Sequence, residues 1–209
     1  MDQNYQNKIM TDKIAIDIVL LLPTEIVEKC ISINSKLDNS EYISFTDGYN
    51  PHITLGMGCI FVKDLENLKN EVEKLSLDTQ KLDLTILDFT GKSFFSFAIE
   101  NNIKLTELHN SVMNILKQFS SYGDADFAMF NESEKVKDDV GLVKWVSNFN
   151  TEHAFDLYDP HITLGKGEKP NFDFPINFTA SKIGLFHIGQ RGTCKEKLAE
   201  FNLKYFFSR

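Results

Sequence analysis

Two hydrophobic periods alternate along this chain, one of about two residues and one of about 3.6, and their order predicts its elements. Ile14 to Leu22 is rich in Ile, Val and Leu and ends at Pro23, which predicts a buried strand. Thr24 then stands as the N-cap of a helix reaching about Asn34, with Ile26, Val27, Cys30, Ile31 and Ile33 at helical spacing. A polar loop with Asp47, Gly48 and Asn50 leads into a strand predicted from Pro51 to about Val62, followed by an amphipathic helix from Lys63 to Ser76. Leu82 to Phe89 and Ser93 to Ile99 read as a hairpin around Thr-Gly-Lys. A second long helix is predicted over Ile103 to Phe119, its apolar face carrying Leu105, Leu108, Val112, Ile115, Leu116 and Phe119.

About forty residues then separate Phe119 from Pro160, far more than a usual connection. Asp124 to Asp139 is acidic and aperiodic, and Val140 to Phe149 predicts a short helix carrying Trp145. Residues 120–158 are therefore expected to be an insertion, either a lid or an ordered decoration. Beyond Pro160, the segments Phe172 to Ala180, Lys182 to Ile188 and about Lys197 to Leu203 predict three antiparallel strands, with Gly189 and Gly192 in a tight turn.

The pattern repeats. Strand, helix, loop and strand occur in the same order in both halves, and the closing strand of each carries Pro-His-Ile-Thr-Leu-Gly, at Pro51 to Gly56 and at Pro160 to Gly165. Each copy has a tyrosine, Tyr49 or Tyr158, two residues before it. By chance a matching pair of hexapeptides would arise in roughly one chain of this length in several thousand, so internal duplication is the reading. It predicts two lobes, about 13–99 and about 100–209, within one domain spanning 1–209. Side chains alternate across a strand, so His52 and Thr54 should face one way and Ile53 and Leu55 the other, with His161 and Thr163 set likewise against Ile162 and Leu164.

Composition adds bounds. With 209 residues, 42% hydrophobic content and 18 Phe, the chain can bury a substantial core. The net charge of −8 argues against coating long nucleic acid, which needs clustered Lys and Arg, but leaves a small phosphate substrate open. The end of the chain is locally basic, with Lys182, Arg191, Lys195, Lys197, Lys204 and Arg209 against Glu196 and Glu200. The apolar run at Ile14 is too short to span a bilayer, and the polar first dozen residues do not resemble a secretory signal. Cys30, Cys59 and Cys194 are odd in number and lack Cys-x-x-Cys spacing, which predicts reduced thiols and a cytoplasmic setting without membrane attachment.

Two imidazoles carried on duplicated strands would face each other over a cleft, and this pair can move two protons. One takes a proton from the attacking water or hydroxyl and the other gives one to the leaving oxygen, as cleavage of a phosphodiester requires. Thr54 and Thr163 would donate hydrogen bonds to the non-bridging oxygens. The motifs offer no carboxylate or thiolate at ligand spacing, so neither metal nor other cofactor is expected.

Two Pro-His-x-Thr motifs about a hundred residues apart resemble the two-histidine (2H) phosphoesterase superfamily, which includes 2′-5′ RNA ligase-like proteins and cyclic nucleotide phosphodiesterases. Ile183 to Leu203, with Ile188-Gly189, Gly192-Thr193-Cys194 and Glu200-Phe201, is also similar to that family's closing strands. The resemblance implies an α+β fold of two pseudo-symmetric lobes, antiparallel sheets flanked by helices around a V-shaped cleft. It also implies that His52, Thr54, His161 and Thr163 are catalytic. Three residues past the second Thr the family often has Arg or an aromatic group on the substrate side. Lys166 stands there as a point charge, while the first copy has Met57.

Further candidates for substrate binding are Tyr49, Tyr158, Arg191 and Trp145. The two tyrosines equally suit a structural role beneath the motifs, and Trp145, Phe130 and Phe149 could stack a base or fill the core. His109, His153 and His187 read as structural or exposed. The expected substrate is a 2′,3′-cyclic phosphate, a 2′,5′-oligonucleotide or a cyclic signalling nucleotide, cleaved by a monomer. The alternative is a nucleotide- or RNA-binding module that keeps the cleft without turnover.

Overall fold

The structure, a computed structural model, describes residues 12–37, 44–92 and 94–204; Ser93, assigned above to a strand, and Arg209, in the basic end, lie outside them. The strands are β1 (Lys13–Leu21), β2 (His52–Phe61), β3 (Leu82–Gly91), β4 (Phe94–Ile99), β5 (His161–Lys166), β6 (Ile176–Ala180), β7 (Lys182–Ile188) and β8 (Cys194–Asn202). The helices are α1 (Thr24–Asn34), α2 (Leu65–Asp78), α3 (Ile103–Phe119), the single turn α4 (Ser133–Val136) and α5 (Val140–Glu152). Two four-stranded antiparallel sheets result, ordered β2-β1-β7-β8 and β5-β4-β3-β6, and helices cover them in an α+β architecture.

Each motif strand is an edge strand, β2 pairing with β1 and β5 with β4, the last strand before residue 100. The halves then exchange strands. β3 and β4 both precede residue 100 but join β5 and β6 of the second half, whereas β7 and β8 return from the C-terminal end to complete the sheet of β1. The expected division at residues 99 and 100 therefore does not coincide with the sheets. The expected trio of closing strands is likewise split, β6 going to one sheet and β7 with β8 to the other. Periodicity marks a strand and its buried face but not which open edge it joins, so topology of this kind escapes a reading of pattern.

Apolar faces position the motifs. Ile53, Leu55, Ile162 and Leu164 are fully buried, as are Val112, Met113 and Leu116 of α3, which packs on β2. Gly56 permits that approach: a Cβ there would lie 2.8 Å from the Met113 sulfur and 2.9 Å from a Leu116 methyl. At the start of α1, Pro23 rather than Thr24 holds the extended cap position and no side chain caps the helix. β8 begins at Cys194, earlier than Lys197, because register slips near Ile188 break the alternation. The insertion is ordered, with Phe130, Val136, Leu142, Val146 and Phe149 in the core and α5 against β2. No helix among the described residues is long and apolar enough to cross a membrane.

Candidate active site

The two motif strands are built alike down to their irregularities. In β2, Thr54 pairs with Val19 and Gly56 with Ile18; in β5, Thr163 pairs with Ser96 and Gly165 with Phe95. Leu55 and Leu164 are thus the extra residues of two equivalent bulges. Without them, strict alternation would turn the third residue past each Thr away from His and Thr. With them, Met57 and Lys166 line the same cavity as the motif side chains.

Each histidine is oriented by the same local device. The proline of each motif confines the residue before it to extended backbone, and that residue's carbonyl accepts from the imidazole. His52 Nδ1 donates to the Asn50 carbonyl at 2.7 Å and His161 Nδ1 to the Asp159 carbonyl at 2.8 Å. A carbonyl only accepts, so Nδ1 carries the hydrogen in both rings, and the His52 Nε2 faces the buried Asp17 and Cys194 side chains.

A reciprocal clasp holds the motifs across the cleft. Asn34, at the end of α1, donates from Nδ2 to the carbonyl of Leu164 at 2.9 Å and accepts at Oδ1 from the Phe45 amide at 2.9 Å. His109 of α3 mirrors it, with Nδ1 donating to the Leu55 carbonyl at 2.7 Å and Nε2 accepting from the Phe155 amide at 2.8 Å. Each bulge carbonyl is therefore gripped by the helix of the other half. Burial lowers the His109 pKa, in keeping with a neutral ring that must accept at Nε2. His109 also stacks on Tyr158 at 3.8 Å and 7°, and the Tyr158 hydroxyl donates to the Thr54 carbonyl at 2.9 Å. Tyr49 differs: its hydroxyl donates to Glu132 Oε2 at 3.2 Å and accepts from Gln190 Nε2 at 2.8 Å.

All nine residues singled out from the sequence line one cavity of about 940 Å³: His52, Thr54, His161, Thr163, Lys166, Tyr49, Tyr158, Arg191 and Trp145. Trp145, with His153 tilted against it at 5.3 Å, forms part of a wall supplied by the insertion, whereas Phe130 is buried in the core. The turn Gln190–Gly192 holds Arg191 at φ 58°, a left-handed backbone that costs a non-glycine residue roughly 1–2 kcal/mol. Lys166 and Arg191 bring positive charge to the wall, and Asp139 and Asp159 negative charge. His187 lies outside it, hydrogen-bonded to the Met129 carbonyl at 2.9 Å.

Beneath the first motif lies a group that pattern reading passed over. Asp17 of β1 is fully buried, and its Oδ2 accepts from the Thr54 hydroxyl at 3.0 Å, lies 3.5 Å from His52 Nε2 and meets the Cys194 thiol at 3.8 Å. The Cys194 sulfur is 3.7 Å from the same imidazole nitrogen. Asp17 Oδ1 has no hydrogen-bond partner among the described residues. Burial raises the Asp17 pKa against the opposing pull of His52, Thr54 and Cys194. For His52, burial works downward, but the Asp17 carboxylate and the Asn50 carbonyl outweigh it and raise the imidazole above its ordinary value. Asp17, His52 and Cys194 present ligand atoms within 4.8 Å of one another, a donor set that could hold a thiophilic cation. The available signal was a lone carboxylate inside an otherwise apolar strand, which is costly to bury unless partnered.

No family model and no curated protein matches the chain. Solved structures do. E. coli LigT complexed with NADP+ superposes with a TM-score of 0.56 at 15% identity, the match covering 92% of this chain and 99% of that one. A crystal structure described as a phosphoesterase gives 0.55 at 14% identity over 91% and 98%. TT0787 of Thermus thermophilus gives 0.54 at 13% identity over 91% and 98%. LigT has also been crystallised with 3′-AMP, with ATP and with phosphate. The chain thus shares the two-lobed α+β fold of these proteins.

Proposed function

We propose, from a fold shared with LigT, that this chain is a two-histidine phosphoesterase cleaving a cyclic or 2′-linked nucleotide phosphodiester without a metal. The observation that carries the reading is the cavity wall itself, to which both motif copies contribute their His and Thr. One imidazole takes a proton from water or a substrate hydroxyl as the new bond to phosphorus forms. The other protonates the leaving oxygen as the old bond breaks. Thr163 donates to a non-bridging oxygen, and Thr54 joins it when Asp17 holds a proton and donates to the Thr54 oxygen instead of accepting from it. Lys166 and Arg191 supply positive charge toward the phosphate. The complexes of LigT with 3′-AMP, ATP, NADP+ and phosphate support a nucleotide phosphate as the ligand class. The balanced charge of the wall, in a chain of net charge −8, favours a small nucleotide or an RNA end over long nucleic acid.

The test is a product-resolved screen of 2′,3′-cyclic and 3′,5′-cyclic nucleotides and 2′,5′-linked oligonucleotides, with EDTA present throughout. Cleavage of at least one class, with a bell-shaped pH profile, is expected. Binding with every substrate left intact would point to a non-catalytic module. Activity lost to EDTA and restored by zinc would contradict the metal-free mechanism.

A further inference from the structure

Among the described residues only three non-glycine residues hold a positive φ: Glu132 at 56°, Phe155 at 58° and Arg191 at 58°. Phe155 belongs to the clasp, in which its amide donates to His109. The other two are joined to each other. Tyr49, in the cavity wall, donates its hydroxyl to Glu132 and accepts from the side chain of Gln190, the neighbour of Arg191. We propose that Arg191 is a ligand-binding residue, the cation that receives an anionic phosphate, and that Glu132 is a positioning residue holding the Arg191 turn to the cavity through Tyr49 and Gln190. The inference rests on the phosphoesterase reading for the identity of the anion and adds to it how the cation is aimed.

At φ 58° a glycine would sit without strain, whereas an arginine does not. Such a residue persists where its surroundings over-determine it, and this turn is bonded from both ends. The Gly189 amide donates to the Thr193 carbonyl at 2.9 Å, and the amide and hydroxyl of Thr193 both donate to the Gln190 carbonyl, at 3.1 and 2.7 Å. All of these bonds are made by the neighbours of Arg191. Its own side chain is exposed, lines the cavity and forms no hydrogen bond or ion pair among the described residues. Neither carboxylate of the wall, Asp139 or Asp159, pairs with it. A strained arginine whose guanidinium serves no bond within the protein is accounted for by one formed with a ligand.

The direction of the relay follows from its hydrogens. Lys135 bonds the Glu132 carboxylate and lowers its pKa, so Glu132 only accepts. Tyr49 therefore commits its single hydroxyl hydrogen to Glu132 Oε2 at 3.2 Å, which leaves its oxygen to accept from Gln190 Nε2 at 2.8 Å. A main-chain bond fastens the same corner: the Asn131 amide donates to the carbonyl of Ile188, the last residue of β7, at 2.8 Å. Residues 120–158 thus supply the site with an aimed charge as well as a wall.

Calorimetric titration of the full chain with 3′-AMP and with inorganic phosphate tests this. Arg191→Gly should bind both about 10–100-fold more weakly, the worth of one charge-assisted contact. It should also unfold at the same urea concentration as wild type or a higher one, because glycine relieves the backbone. Unchanged affinity, or a lower unfolding midpoint, would overturn the assignment of Arg191. Tyr49→Phe and Glu132→Ala should each weaken binding about 3–10-fold, whereas Glu132→Gln, which still accepts from the hydroxyl, should bind nearly as wild type does. On the Arg191→Gly background, Tyr49→Phe and Glu132→Ala should change affinity by less than about twofold, since nothing is left to position. Full losses on that background, or none on the wild-type one, would overturn the relay. A wild type that binds neither anion would overturn both parts. Anion binding without cleavage of any phosphodiester would defeat the phosphoesterase reading and leave the Arg191 comparison intact. Cleavage by wild type, with affinity and KM unchanged in Arg191→Gly, would keep that reading and defeat the proposal.

Discussion

Replacing His109 with Leu should destabilise the protein severely, because one ring satisfies two backbone groups, one buried and one partly buried, from the two halves of the chain. Leu fills much of the same volume but neither donates to the Leu55 carbonyl nor accepts from the Phe155 amide. Leaving a buried group unpaired costs about 1–3 kcal/mol, so the two together predict a loss of about 2–6 kcal/mol. Stacking on Tyr158 adds about 0.5–1.5 kcal/mol, partly retained by the apolar replacement. With a urea dependence of about 2–3 kcal/mol/M for a chain of this size, the unfolding midpoint should fall by about 0.7–3 M.

The pH dependence supplies a second, independent sign. Burial lowers the pKa of His109 in the folded state, so its contribution is fully present above the unfolded imidazole value of about 6.5 and is lost as pH falls toward the folded value. Wild type should therefore lose stability relative to His109→Leu between about pH 6.5 and acid pH, and the two curves should converge. His52, raised by Asp17, titrates with the opposite sign, but it is common to both proteins and cancels in the difference. A midpoint within about 0.2 M of wild type, or a constant gap between the curves across pH, would refute the clasp as described.

Two further outcomes bear on the cavity. His52→Ala and His161→Ala should each lower kcat by about 10²–10⁴-fold, with thermal unfolding little changed for the partly exposed His161; losses of only a few-fold would remove the acid and base assignments. Lys166→Ala should raise KM for a phosphate substrate several-fold while leaving the urea midpoint in place, and unchanged kinetics would demote Lys166 to surface charge.

Much of this was legible in the sequence, for identifiable reasons. The predicted α3 agrees with the observed Ile103–Phe119 because six apolar positions recur at helical spacing and Asn102, whose side chain accepts from the Leu105 amide, marks its start. The motifs were legible because duplication repeats chemistry along with geometry. The bulges at Leu55 and Leu164 were not, since a bulge changes pairing and leaves composition untouched. The exchange of β3 and β7 between sheets also lay beyond pattern, as pairing choice depends on which edges remain open after the chain collapses. In the sequence Asp17 is a single polar residue inside an apolar run. Its partners, Thr54 and Cys194, are 37 and 177 residues away, and no local rule connects them.

The crossed grips of Asn34 and His109 give the molecule a fixed-jaw character. Each motif strand is fastened to the opposite half by a bond to its main chain, a restraint on how far the two strands can part. A binding site with such a gauge sorts molecules by girth at the entrance. Discrimination between narrow and bulky ligands should therefore appear in the rate of entry.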